Sequence, residues 1–229
     1  MKRIMMFLGL AGTCLMAISA SAATFDFSAT GVSGANFYGN TGLPVSADAT
    51  FVTGVNTLTI TLRNLETDPT AIGQCISGLA FTLSGGQTGG TLTSSLGRER
   101  TINSNGTYTD GAIVPAGWLF SGSTLFLNDL AGNPAAGPAH TLIGGPGAGG
   151  LYDLANNSIT GNGPHNPFLV GDVTFTLNIA GLTAGDAVTG ATFQFGTTPG
   201  SNTVPDGGST VLLLGCALSA VGLIRRRLS

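Results

Sequence analysis

The sequence predicts an all-β chain: a single antiparallel β-sandwich of jelly-roll or immunoglobulin-like type over residues 23–196, followed by a C-terminal transmembrane helix. Three observations carry that reading. Apolar residues recur at every second position through most of the middle of the chain. Thr, Gly, Asn and Ser fill the polar positions and only 8% of residues are charged, a composition suited to strands and turns rather than helix. Near the C-terminus an uncharged apolar run ends in Arg225, Arg226 and Arg227.

Taken in order, residues 1–22 read as a leader. Lys2 and Arg3 precede the apolar stretch from Ile4 to Ile18, and Ala20-Ser21-Ala22 has the small-x-small pattern that signal peptidase accepts, so the mature chain is expected to begin at Ala23. Strand alternation then appears at Phe25 and Phe27, at Phe51, in "NTLTITLRN" (Leu58, Ile60, Leu62), in "SGLAFTLSG" (Leu79, Phe81, Leu83), at Leu125 and Leu127, in "GDVTFTLNIAG" (Val173, Phe175, Leu177, Ile179), and at Phe193 and Phe195. Apart from Ala80 and Phe126, the intervening residues are Thr, Asn or another polar type, as expected of strands with one face inward. Residues 52–56 are expected to turn the strand through Phe51 back into the next one. Between Leu130 and Pro167 the segments "AGNPAAGPAH", "GGPGAGG" and "GNGPHNPF" read as long loops. Residues 197–203 read as a short flexible stem and residues 204–229 as a tail.

The charges are placed asymmetrically. Apart from the two basic ends the chain has three arginines (Arg63, Arg98, Arg100) against eleven acids, so its middle carries a formal charge of −8. That charge excludes an electrostatic footprint for nucleic acid. Both basic ends are expected to stay in the cytoplasm, with the acidic middle exported. The apolar run 210–224 spans about 23 Å as a helix, short of a bilayer core of about 30 Å. Including residues 207–209 brings it to about 27 Å, enough to cross with local thinning.

No residue pattern points to catalysis, a cofactor or a metal. His140 and His165 are the only histidines; a site using both, with Asp153 or Asp172, has no supporting spacing. The acids lie singly and form no calcium loop, although folding can pair carboxylates in ways a sequence hides. Cys75, the only cysteine outside the leader and tail, lacks a neighbouring base and reads as a buried small hydrophobe. Trp118 lies beside Leu119 and Phe120 and reads as core rather than as a sugar-stacking platform.

The tail is the distinctive part. Val204-Pro205-Asp206-Gly207-Gly208, then Ser209 and Thr210, the apolar run and Arg225–Arg227 together resemble the PEP-CTERM sorting signal, the tripartite tail of exosortase substrates. Val204 and Pro205 match that family's Val-Pro-Glu-Pro motif, Asp206 stands for Glu, and Gly207 replaces the second Pro. The strand segments and "NGPHNPF" are similar to β-rich ectodomains of other exosortase-dependent proteins. The resemblance implies a Gram-negative precursor held at the inner membrane by helix 210–224 and the stop-transfer arginines. An exosortase, a membrane cysteine peptidase, would then cut it near 204–208 and deliver it to the cell surface or extracellular matrix. The expected partners are signal peptidase, acting at Ala20, Ala22 and Ala23, the exosortase, the membrane, and exopolysaccharide in a biofilm-like matrix. The expected role is non-catalytic. The alternatives are a carbohydrate-binding module on the same fold and a permanently anchored type I membrane protein; an exported hydrolase ranks last.

Overall fold

The computed structural model describes residues 22–33, 42–121, 124–130, 139–197 and 203–206. Among these, twelve strands and one short 3-10 helix (Ile72–Gln74) are formed, so the described part of the chain is all-β. The strands are β1 (Ala23–Val32), β2 (Pro44–Gly54), β3 (Thr57–Asn64), β4 (Ile76–Leu83), β5 (Thr91–Ile102), β6 (Tyr108–Pro115), β7 (Leu119–Ser121), β8 (Phe126–Asn128), β9 (Leu142–Ile143), β10 (Phe168–Asn178), β11 (Val188–Phe195) and β12 (Thr203–Pro205).

Hydrogen bonding joins them into one open sheet rather than the two separate sheets of the expected jelly-roll or immunoglobulin-like sandwich. One arm runs β1-β2-β3-β10-β5-β6, with every pairing antiparallel. The other runs β7-β8-β4-β11-β12, also antiparallel. Two-residue β9 links the arms, pairing antiparallel with β4 at Leu142 and parallel with β10 at Leu169 and Val170. That parallel step is the second departure from a purely antiparallel plan. Parallel neighbours need a crossover of a dozen or more residues, and residues 144–167 supply it.

The alternation explains why the arms face each other. Phe51 of β2, Ile60 of β3 and Phe175 of β10 lie in register and point inward, while Thr50, Thr61 and Thr174 lie in register on the other face. The inward rows meet those of the other arm: the Phe51 ring lies 5.4 Å from Phe81 of β4, and Trp118 lies 5.2 Å from Phe175. Leu79, Leu127, Phe193 and Phe195 complete the same cluster. Fully burying each Phe or Leu is worth about 1.5–3 kcal/mol, so this shared core is what holds the arms together. The turn expected at 52–56 tightens to Val55-Asn56, because Gly54 pairs Thr57. Asn56, the second of the two turn residues, takes φ 55, a left-handed conformation that Asn tolerates.

The crossover carries a second, smaller core of Ile72, Cys75, Ile102, Ile143, Tyr152, Ile159 and Phe168. It closes against the end of β3 through Gly144, where a Cβ would lie 2.0 Å from the Glu66 carbonyl oxygen, so no larger residue fits. The loops expected between Leu130 and Pro167 are thus partly interior.

Candidate functional site

The residues that stand out in the sequence at the C-terminus begin inside the fold. β12 pairs with the outer edge of β11, with Thr192 opposite Pro205, Phe193 opposite Val204 and Gln194 opposite Thr203. Proline suits this position, because an edge strand tolerates a residue with no N–H to donate. Val204 packs against the main core. Asp206 is 3% exposed; its N–H donates to the Ala191 carbonyl at 3.0 Å, and its Oδ1 accepts from the Ala191 N–H at 3.4 Å. Thr203, assigned by the sequence to the stem, is therefore part of the sheet, as are Val204 and Pro205 of the motif. Gly207, Gly208, the 210–224 segment and Arg225–Arg227 lie outside the described residues, as does Ala20. At the other end Ala22 is exposed and β1 starts at Ala23, the expected first residue of the mature chain. Among the described residues, no helix is long and apolar enough to cross a membrane.

The residues considered for chemistry are held by separate partners. His140 Nε2 lies 3.0 Å from Glu99 Oε1, and its Nδ1 lies 3.1 Å from the Ala116 carbonyl. Trp118 is 2% exposed and donates its indole N–H to the His140 carbonyl, which places it in the core. His165 is buried with Nδ1 2.6 Å from the Ser158 carbonyl, and burial lowers its pKa. Asp172 receives two hydrogen bonds from Arg63, which hold its carboxyl below the ordinary range, while Asp153 is exposed. Cys75 is sealed in the smaller core, where burial pushes its thiol far up. Among the described residues, no three His, Cys, Asp or Glu side chains gather where a metal ion would fit.

Two features, one polar and one largely apolar, have no clear signal in the sequence. Arg100, 7% exposed, donates to both oxygens of Asp110 at 2.6 and 2.9 Å and to the Tyr152 hydroxyl at 3.1 Å, with its guanidinium 3.8 Å from the centre of the Tyr108 ring. Tyr152 passes the chain on by donating to the Gly144 carbonyl. Its own pKa is pushed up to about 12 by burial, and the Arg100 hydrogen bonds hold Asp110 low. Arg100 thus ties Asp110 of β6 and Tyr152 of the crossover to one side chain of β5, which fastens the crossover to both strands. The other is a shallow depression of about 560 Å³ at the irregularity in the β5–β10 ladder, walled by Leu96, Arg98, Ile113, Val170 and Asp172.

The class of chain marked by the C-terminal residues is that of proteins with a sorting tail. Residues 203–228 match the family model described as the VPDSG-CTERM motif, a PEP-CTERM-like tag. The motif's name has Asp at the place of Asp206 and Ser at the place of Gly207, so Asp206 follows the matched pattern and Gly207 departs from it. No curated protein and no solved structure matches the chain.

Proposed function

We propose that this is an exported surface protein whose tail is read and cut by an exosortase, and whose β-rich body then serves without catalysis as a cell-surface or matrix component. The observation that carries the reading is the match of residues 203–228 to a C-terminal sorting motif. The leader pattern from Lys2 to Ala22 supports it from the other end, since sorting of this kind begins with export. The precursor is held at the inner membrane of a Gram-negative cell by residues 210–224 and Arg225–Arg227. A non-catalytic role is supported by the placement of the reactive side chains: Cys75 is sealed, and His140 and His165 are each tied to a backbone carbonyl. On the outer face of β2, β3 and β10, Thr50, Thr61 and Thr174 form one row and Val52, Thr59 and Thr176 the next, and neither row holds an aromatic ring. That supports the structural role over a carbohydrate-stacking module, which uses aromatic platforms.

Replacing Pro205 and Asp206 together by Ala tests the reading in cells that process the parent. The expected result is normal membrane insertion with uncut precursor accumulating in the membrane fraction. Release at the parent's rate would remove the motif from the account, whereas a parent protein that keeps residues 210–229 at the surface would make a permanent anchor the better description.

A further inference from the structure

We infer that the folded body masks its own sorting motif, so that β12 must leave β11 before a peptidase can take residues 203–206. The inference rests on the sorting reading above and adds to it a condition that the tail match alone does not contain.

The argument starts from what a peptidase requires. A cleft takes a chain in extended form and pairs with its main-chain N–H and C=O groups, as an added strand does. In β12 that pairing is already made with β11. The side chains are engaged as well. Val204 is packed against the main core, and Asp206 is almost fully enclosed, with its backbone N–H and its carboxylate both bonded to Ala191. No cleft can hold Val204 through Asp206 while they remain in these contacts.

The same residues therefore have two incompatible uses, edge strand and substrate. Which one prevails depends on how often the edge opens. β12 is only three residues long and pairs on one side, so its opening belongs to the low-stability end of the fold. A precursor that has not folded presents the motif freely; one that has folded presents it only during edge openings. Cutting is thus coupled to the state of the body, and the peptidase captures an open minority form rather than the closed one.

Two changes outside Val204–Gly208 test this in opposite directions. Gln194→Cys with Thr203→Cys joins residues that face each other across the β11–β12 pair, and its disulfide locks the edge shut. Gly31→Leu works from β1: a Cβ there would lie 3.2 Å from Val204 Cγ1, so the larger side chain pushes Val204 outward. The experiment uses the full chain in cells that process the parent, following the ratio of precursor to released protein, with backbone hydrogen exchange at residues 203–206 of each precursor purified in detergent. The locked variant is expected to be released at least about tenfold more slowly, recovering on reduction, since several ladder bonds no longer open. Gly31→Leu is expected to exchange faster at 203–206 and to be released faster. Release of the oxidised variant at the parent's rate, or faster exchange in Gly31→Leu without faster release, overturns the masking while leaving the sorting reading intact. If the parent and every variant keep residues 210–229, the sorting reading itself has failed and the masking goes with it.

Discussion

Two of the edge strands of this sheet, β1 and β12, meet the two expected cutting sites in opposite ways. At the N-terminal edge, β1 pairs with β2 along all ten of its residues and begins at Ala23, so the bond expected to be cut by signal peptidase precedes the fold. At the C-terminal edge, β12 is three residues long and contains the start of the sorting motif. One cut can thus be made whether or not the body has folded, whereas the other competes with folding. The length of an edge ladder and its position relative to the cleavage residue decide how processing and folding are ordered. Both edges depend on the same core, and that dependence can be probed.

The largest effect is expected from Phe51→Ala. Its ring touches Phe27 of β1, 5.5 Å away at a right angle, and Phe81 of the opposite arm. The cavity should cost about 3–5 kcal/mol in denaturant unfolding, and amide exchange should accelerate at both edges together. Acceleration at β1 alone would mean that the arms do not share one core. A smaller effect is expected at Asp129, which follows β8 in the arm that carries β12. Burial pushes its carboxyl up to about 8. Between about 3.9, where the unfolded carboxyl titrates, and about 8, the folded chain keeps a proton that the unfolded chain has lost. Stability attributable to this group is therefore complete at low pH and falls as pH rises through that window. Asp129→Asn should flatten the fall and gain about 1–2 kcal/mol at pH 8; an unchanged pH profile would contradict the assignment. The smallest effect is expected from Asp206→Ala, which removes the carboxylate that accepts from Ala191. It should cost about 1 kcal/mol, confined to exchange at 203–205, with β1 unaffected.

Much of the main core was legible in the sequence, because β3 and long stretches of β4, β10 and β11 alternate and alternation is a local property. β5 was missed: "TLTSSLGRER" puts Gly97 and Arg100 at buried positions, so its inward face does not read as apolar. The joining of the arms was hidden for a different reason. It depends on Leu142 and Ile143 inserting between β4 and β10, a contact between residues far apart in the chain. The Arg100–Asp110–Tyr152 cluster was hidden in the same way, since no spacing relates β5 to a crossover loop. At the C-terminus the motif was readable as a motif, but its role as an edge strand was not. Three residues are too few to show a period, and Pro205 reads as a break until a free sheet edge is known to receive it.

The central claim is that the tail is an address removed during delivery. Intact-mass measurement of the protein recovered from the cell surface or medium, together with its membrane-bound precursor, tests it most directly. The account predicts a surface form that starts at Ala23 and ends within residues 203–209, with the longer form confined to the membrane fraction. A surface form that still contains residues 210–229 would contradict it.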